Sequence, residues 1–289
     1  MIDQAVRQAA QQQLHRTAAD VLNAEPQPPP PLAEIVLCFS LRAEAVGVLD
    51  RLEHAVAEHR ETEGQSLDIT HGEFAGKKVA VIVVGNGPAK ANLAVDMLLA
   101  ERTPRWLVSA GFAVGLQPEF SRRSFLLPRE IVADGGLPIT MDLLLEPASL
   151  AALKNVHVGR LLSTNQPPKT VAGKQRLAET FQAAACELDS WHLFQALPHG
   201  EFANATPTAV PLPRRLAVRI ISDAIDDELS PEMEALFKQE SWGAKLGAAA
   251  GALFRRPGIA KELWDLQNES LVLADRLAKF LAGIVPQLK

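Results

Sequence analysis

Short apolar runs typical of buried strands alternate, from residue 34 onwards, with longer segments of helical pattern. The predicted strands lie in EIVLCFSL, SLDITHGEFAGKKVAVIVVG (two strands turning at Ala75 and Gly76), RWLVSAG, SFLLPREIVAD, HVGRLLST, AACEL and RRLAVRIISD. The predicted helices are Glu44 to His59, PAKANLAVDMLLAE, TVAGKQRLAETFQAA, Pro231 to Phe254 and Gly258 to Leu281. This alternation predicts a single α/β domain with three α/β/α layers, in which helices cover both faces of a central mixed twisted sheet.

The chain is expected to form one domain with an N-terminal appendage. Its 289 residues, of which 47% are hydrophobic, suffice for one large core. Residues 1–24 are rich in Ala and Gln and favour a helix, and EPQPPPP after them favours a stiff polyproline spacer. We therefore predict an N-terminal helical arm with its linker over residues 1–31 and the folded domain over residues 32–289. The arm either packs on a neighbouring subunit or forms a tail.

Charge and cysteine content narrow the class of protein. A net charge of −5 and a pI near 5.8 argue against a nucleic-acid partner, since such binding relies on clustered Lys and Arg. Cys38 and Cys186 lie in apolar runs, as buried thiols do in a reducing cytosol. The N-terminus has no apolar signal region and no run reaches the ~18 apolar residues of a membrane helix, so we expect a cytoplasmic protein without a membrane span. The seven histidines form no HExxH motif, and we expect neither metal nor cofactor.

The stretch VRIISDAIDD, Val218 to Asp227, places a carboxylate at the tip of an apolar strand. Ser and Asp after a strand usually form turns or cap helices, which is the plainer interpretation of Ser222 and Asp223. In α/β sheets, however, ligands bind beyond the carboxyl ends of the strands. Asp223 is therefore also a candidate functional group.

Two other motifs favour a structural interpretation. GNGPAK, residues 85–90, has Lys90 at the third Gly position of a dinucleotide fingerprint and lacks the Gly-Lys-Ser/Thr of a Walker loop, so it favours a tight turn over an anion site. In LVSAGFAVG, Leu107 replaces the first Gly of a nucleophile elbow. Ser109 is therefore not expected to be a hydrolase nucleophile.

Five motifs, in their order along the chain, resemble the nucleoside phosphorylase superfamily and in particular its 5′-methylthioadenosine/S-adenosylhomocysteine nucleosidases. They are EIVLCFSLRAEAVGVL, VVGNGPAKANLAV, SAGFAVGL, CELDS and VRIISDA, and the resemblance covers roughly residues 34 to 285. The segment RRPG with the closing helix is similar to hopanoid-associated nucleosidases, which remove adenine from adenosylhopane. The resemblance implies a phosphorylase/nucleosidase-like fold, a small-molecule nucleoside substrate and, as is common in this superfamily, a homo-oligomer.

The resemblance also implies three catalytic residues. Asp223 matches the acid that protonates N7 of the leaving purine, Glu44 matches the glutamate that activates water, and Arg219 matches the arginine that helps hold it. A carboxyl on the rim of a buried strand is partly desolvated, which favours its protonated form. Because Arg219 lies four residues before Asp223, regular strand alternation predicts that both line one pocket.

The remaining implied residues bind substrate. In CELDS, Glu187 and Asp189 are expected at the ribose hydroxyls, with Leu188 under the sugar. The full predicted set is Gly111, Phe112, Glu187, Leu188, Asp189 and Ser222.

Departures from the family's pattern predict retained chemistry in an altered pocket. Asp189 stands where the family has Glu, Phe112 where relatives often have Ser, Pro167 where a base-stacking Phe lies, and Ser124 where Asp is usual. Extra residues lie around 198–213.

Hydrolysis of a purine nucleoside, with a 5′-modified adenosine as substrate, is the favoured function. A phosphorylase needs arginines and a Ser to hold its phosphate, whereas Ser109 and Phe112 occupy those positions here. Phosphorolysis and a non-catalytic nucleoside-binding role remain the alternatives.

Overall fold

The computed structural model describes residues 33–62, 65–85, 87–101, 103–143, 153–197, 212–228 and 257–289. Within these ranges the strands are β1 (Ile35–Phe39), β2 (Glu53–Thr62), β3 (Gln65–Phe74), β4 (Lys77–Val83), β5 (Trp106–Gly115), β6 (Phe125–Ala133), β7 (Ile139–Thr140), β8 (Val156–Ser163), β9 (Ala185–Glu187) and β10 (Arg214–Asp223). The helices there are α1 (Arg42–Leu49), α2 (Pro88–Glu101), α3 (Val171–Phe181), α4 (Ser190–Gln195) and α5 (Pro257–Ile284), and a 3₁₀ turn follows at Val285–Gln287. None of these described helices is long and apolar enough to cross a membrane.

The strands form one mixed sheet with β5 near its centre. Strand β1 runs parallel to both β4 and β5, and β10 runs parallel to β5. Because β10 also pairs with β6, β6 with β8, β8 with β9 and β9 with β5, these strands close into a ring. Strands β4, β3 and β2 extend the sheet on the other side of β1.

Two apolar cores cover the two faces of the sheet. Strand β1 is buried along its whole length because its side chains enter the two cores alternately. Helices α1 and α5 cover one core, and α2 and α4 cover the other. This arrangement confirms the predicted three-layer α/β/α fold around a mixed sheet.

Helix α1 is fixed by close contact with α5. A Cβ added to Gly47 in α1 would overlap the backbone carbonyl of Ala274 in α5, so the helices meet at backbone distance. Just beyond α1, Arg51 Nη2 donates to Asp275 Oδ1 at 2.5 Å. The position of α1 matters for the site because it carries Glu44.

One predicted helix is wrong. The segment Glu44 to His59 is helical only to Leu49, and Glu53–Thr62 is strand β2, paired antiparallel with β3. Half-buried Val56, Glu58 and Arg60 alternate with exposed neighbours along β2, the period of a strand. Strand β2 lies at the edge of the sheet and has little apolar surface to mark it, so its Ala and Glu residues suggested a helix.

The other predicted elements within the described residues are confirmed, including the turn at Ala75 and Gly76, which have φ of 51° and 74°. The N-terminal arm, the helix Pro231 to Phe254 and most of the extra segment 198–213 lie outside the described residues. The division into an arm over 1–31 and a domain over 32–289 stays a prediction.

Candidate active site

A cavity of about 180 Å³ opens where β1, β5, β9 and β10 come together. In the sheet register, Arg219 of β10 lies opposite Gly111 of β5, and Cys186 of β9 lies opposite Val114 of β5. The cavity is lined by seven of the predicted site residues, which are Glu44, Phe112, Glu187, Leu188, Asp189, Arg219 and Ser222. Pro167, which stands where the family has a stacking Phe, lines it as well.

Glu44 is held by backbone N–H groups on both sides of its carboxyl. In the first turn of α1, Oε2 accepts a hydrogen bond from Leu41 N at 2.9 Å, and Oε1 accepts one from Phe112 N at 2.8 Å. The residue is 6% exposed. Burial raises the pKa of Glu44 above its ordinary value, although the two backbone bonds and the charge of Arg219 oppose the shift. A fixed carboxyl with raised proton affinity suits a general base.

Gly111 makes room for Glu44. A Cβ added at Gly111 would lie 2.6 Å from Glu44 Oε1, well inside contact distance. Gly111, predicted as a substrate-binding residue, is absent from the described lining of the cavity, and the space beside it is occupied by the Glu44 carboxyl. The glycine is needed because β5 and α1 meet at this point.

Arg219 is buried in a network of hydroxyl and carboxylate groups. Its Nη2 donates to Ser109 Oγ at 2.7 Å, to Glu187 Oε2 at 3.1 Å and to Ser190 Oγ, and its Nη1 donates to Ser109 O at 2.9 Å. Among the described atoms, its Nε has no hydrogen-bond partner although it is buried. No bond joins Arg219 to Glu44 in this part of the chain, so Arg219 holds Glu187 directly and acts on Glu44 only through its charge.

Glu187 is the anionic centre of this network. Burial alone would raise the pKa of Glu187, but the charge of Arg219 and the hydrogen bonds from Ser163 and Asp189 N hold it below its ordinary value. The backbone N–H and hydroxyl of Ser190 donate to the same carboxylate. Glu187 is therefore a fixed negative charge at the cavity wall.

Asp189 contacts the glycine-rich loop. Its Oδ1 accepts a hydrogen bond from Gly87 N at 3.2 Å. Gly85 and Gly87 have φ of 76° and 95°, which glycine adopts without strain and which supports the tight-turn interpretation of GNGPAK. Burial raises the pKa of Asp189, against the effect of hydrogen bonds from Ser40 and Gly87 N.

Asp223 lies at the rim, beyond an irregularity in β10. The register with β5 shifts between Ile221 and Asp223, so the alternation that placed Arg219 and Asp223 on one side is interrupted there. The argument that placed Arg219 and Asp223 on the same side of β10 assumed regular alternation, and that assumption is wrong. Asp223 is absent from the described lining of the cavity, whereas its neighbour Ser222 is part of it. The two are linked, because Ser222 Oγ lies 2.6 Å from Asp223 Oδ2.

Sequence reasoning missed the hydroxyl groups that hold Arg219 and Glu187. Ser190 is the last residue of CELDS, and Ser109 was considered as a nucleophile and as a replacement for a phosphate-binding arginine, but not as a partner of Arg219. Ser163 is the last residue of β8, and a small polar residue at the end of a strand usually indicates the start of a turn. Only the packing of β5, β8, β9 and β10 brings these hydroxyls to the Arg219–Glu187 pair.

In the described part of the chain, no group of three or more His, Cys, Asp or Glu side chains is arranged to hold a metal ion. The polar side chains described in the cavity lining are carboxyls, hydroxyls, the Cys186 thiol and the Arg219 guanidinium.

Comparison with known proteins agrees with this architecture. The sequence profile of the Phosphorylase superfamily matches residues 35–255. No curated protein matches the chain in sequence.

Solved structures share the fold at low sequence identity. A 5′-methylthioadenosine/S-adenosylhomocysteine nucleosidase from S. pneumoniae, with a transition-state inhibitor, is 13% identical with a TM-score of 0.60, covering 88% of this chain and 99% of that one. A putative nucleosidase of the same type from Borrelia burgdorferi, bound to adenine, is 13% identical with a TM-score of 0.62 and the same coverage. A futalosine hydrolase mutant from Helicobacter pylori is 16% identical with a TM-score of 0.56, covering 88% of this chain and 98% of that one.

The profile covers most of the chain, and the neighbours share its sheet and helices over nearly their full length. The resemblance recognised from the five motifs is thereby confirmed. The chain belongs to the phosphorylase superfamily.

Proposed function

We propose that the protein hydrolyses the N-glycosidic bond of a purine nucleoside, with a 5′-modified adenosine as its substrate. The observation that carries this proposal is Glu44, a buried carboxyl with a raised pKa that two backbone N–H groups fix at the cavity wall. Such a group takes a proton from water more readily than an exposed carboxylate does.

In the proposed reaction, Glu44 removes a proton from a water molecule that attacks C1′ of the ribose. As the bond between C1′ and the purine nitrogen lengthens, positive charge develops on the sugar. The carboxylates of Glu187 and Asp189 face the cavity, where they stabilise that charge and accept hydrogen bonds from ribose hydroxyls. Leu188 and Phe112 supply apolar surface beside them.

We assign to Asp223 the transfer of a proton to the leaving base. The Asp223 carboxyl lies outside the described lining of the cavity but is joined to it through Ser222, whose hydroxyl donates to Asp223 Oδ2 at 2.6 Å. By giving a proton to N7, Asp223 lets the purine leave as a neutral molecule. A positioned acid of this kind typically contributes ~10²–10⁴-fold in rate.

Water is favoured over phosphate as nucleophile because Arg219 is already occupied. A phosphate dianion needs cationic donors that point at it. Both terminal nitrogens of Arg219 instead donate to Ser109, Glu187, Ser190 and the Val218 carbonyl. Ser109 Oγ itself lies within the same buried network.

The ligands bound to two solved neighbours support the substrate class. One neighbour from Helicobacter pylori was solved with 5′-methylthioadenosine in its active site, and one from Neisseria meningitidis with methylthio-immucillin-A. By analogy, this cavity takes a 5′-substituted adenosine.

The substrate proposal is tested by a panel of purine nucleosides and 5′-substituted adenosines in phosphate-free buffer, with base release read by chromatography. Release of free purine from 5′-substituted adenosines is the expected result. No release from any member of the panel would contradict the proposal and favour a non-catalytic nucleoside-binding role.

We also propose that the protein is a cytoplasmic homo-oligomer that requires no nucleic-acid partner. Several large apolar side chains are exposed on the described surface, with Leu137 81% and Trp264 64% exposed, and they suit burial against a second copy. The free, buried thiols of Cys38 and Cys186 fit a reducing compartment. A monomer in light scattering at micromolar concentration would contradict the oligomer.

A further inference from the structure

Lys174 is a buried lysine in α3 whose ammonium group points at the loop that follows Asp223. The residue is 2% exposed. Its Nζ donates to the backbone carbonyl of Ala224 at 2.5 Å and to that of Asp227 at 2.5 Å. Lysine is among the residues least often buried, because its charge loses hydration. Such a position calls for a reason beyond packing.

The loop itself is tied down on its other side. Asp227 Oδ2 accepts hydrogen bonds from Ala224 N at 2.6 Å and from Arg122 Nε at 2.6 Å. The Asp227 carboxylate therefore forms its ion pair with Arg122. Lys174 binds two backbone carbonyls of this loop. The carboxylates of Asp223 and Asp227 act on Lys174 only through their charge.

The charged groups around Lys174 favour its ammonium form, whereas burial opposes it. Burial lowers the pKa of Lys174, and Asp223, Asp227 and Cys186 oppose that effect, while Arg122 adds to it. Among these charged groups, Asp223 has the largest effect on Lys174, so its carboxyl lies close enough to the ammonium for their charges to interact.

We propose that Lys174 is a positioning residue for Asp223, a role that rests on the proposed function. By holding the Ala224 carbonyl, it fixes the peptide between Ala224 and Ile225, one residue beyond Asp223, and so restrains the direction of the Asp223 carboxyl. In the bond-breaking step, Asp223 gives its proton to N7 while the electron pair of the glycosidic bond passes to the purine. The Asp223 carboxylate that this step leaves behind then lies beside the Lys174 ammonium.

The test compares two substrates in the variant Lys174→Met. Methionine has a similar length and suits a buried slot, but it has no charge and no donor. 5′-Methylthioadenosine needs a proton on its leaving base, whereas 4-nitrophenyl β-D-ribofuranoside has a leaving group that needs none. We expect kcat/KM for the nucleoside to fall on the order of 10-fold or more, and kcat/KM for the nitrophenyl riboside to change far less.

The pH dependence of kcat/KM for the nucleoside is a second test, independent of the comparison between substrates. Asp223 is faced by Lys174 from α3, by Arg122 from the segment before β6, by Asp227 from its own loop and by Cys186 from β9. Lys174→Met removes one of the positive charges beside the proposed proton donor. The alkaline limb of kcat/KM is therefore expected to move to higher pH in Lys174→Met, and Lys174→Arg should keep it in place.

Lys78→Met is the matched control, because Lys78 is an exposed lysine in β4. It should leave both substrates and the alkaline limb unchanged. An equal loss on both substrates with an unmoved limb in Lys174→Met would overturn the inference and leave Lys174 a structural residue. If the wild-type protein released no base from any nucleoside, the proposed function itself would fail, which is a different result.

Discussion

Arg219 Nη2 and Glu187 Oε2 form a 3.1 Å ion pair that is almost completely withdrawn from solvent, with side chains 2% and 6% exposed. Such a pair is stable only because each charge has hydrogen bonds besides its partner. Ser109, Ser163 and Ser190 supply those bonds. The pair therefore locks β9 to β10 beneath the cavity and keeps the guanidinium away from other anions.

Removing one member of this pair should strongly destabilise the fold. In Arg219→Met, the Glu187 carboxylate is left buried without its counter-charge, and we expect the free energy of unfolding to fall by about 3–5 kcal/mol in denaturant titration. The double variant Arg219→Met/Glu187→Leu should recover part of that loss. Arg123→Met breaks the exposed contact with Glu269 and should change stability far less. Equal effects in the buried and the exposed pair would contradict this account.

Glu44→Gln should lose most activity while its stability relative to the wild type improves with rising pH. The pKa of Glu44 in the folded protein is raised above 4.5. As the pH rises above that value, the buried carboxyl has to ionise and the folded state loses stability, whereas at lower pH the carboxyl is protonated and this loss is absent. The amide cannot ionise and avoids this cost. Melting temperatures across the pH range measure it: the difference between Glu44→Gln and wild type should grow more positive from acid to neutral pH.

The same shift predicts the acid limb of the wild-type rate. Because the proposed base must be ionised, kcat/KM should fall on the acid side at a pH above the ordinary glutamate value of 4.5. An acid limb below that value would argue that another group titrates.

Gly111→Ala should impair catalysis by displacing Glu44. The added methyl group would meet Glu44 Oε1 at 2.6 Å, so either the carboxyl or β5 has to move. We expect a loss of kcat on the order of 10²-fold, since small displacements of a catalytic group are costly. Gly283→Ala is the matched control, because an added Cβ there meets nothing within 4 Å. An activity loss shared by both variants would contradict the explanation.

Much of the fold follows from the sequence because buried strands carry an unmistakable pattern. Ile35–Phe39 is entirely apolar and entirely buried, and it was predicted as a strand. Strand β2 was missed because an edge strand has few apolar residues. The motifs identified seven of the residues that line the cavity, since these lie next to strand ends.

The contacts between these residues could not be predicted in the same way. The register shift before Asp223 is invisible to an argument from regular alternation. A lysine in a helix, such as Lys174, normally suggests a solvated face, and only the packing of α3 against the Ala224–Asp227 loop shows it buried. Long-range partners of this kind depend on the tertiary structure.

Asp223→Asn should keep the fold and lose on the order of 10²-fold or more in turnover of purine nucleosides, because an amide has no acidic proton to give. With 4-nitrophenyl β-D-ribofuranoside, which needs no protonation, the variant should recover most activity, whereas Glu44→Gln should stay slow. Near-wild-type turnover of purine nucleosides by Asp223→Asn would leave Asp223 a turn residue.

The central claim is that water, activated by Glu44, is the nucleophile, and the sugar product measures it most directly. The wild-type protein is incubated with its best nucleoside, with and without inorganic phosphate, and the sugar is identified by mass spectrometry. The account predicts free purine and free sugar at the same rate in both buffers. Base release that depends on phosphate, with a sugar 1-phosphate as the product, would contradict it.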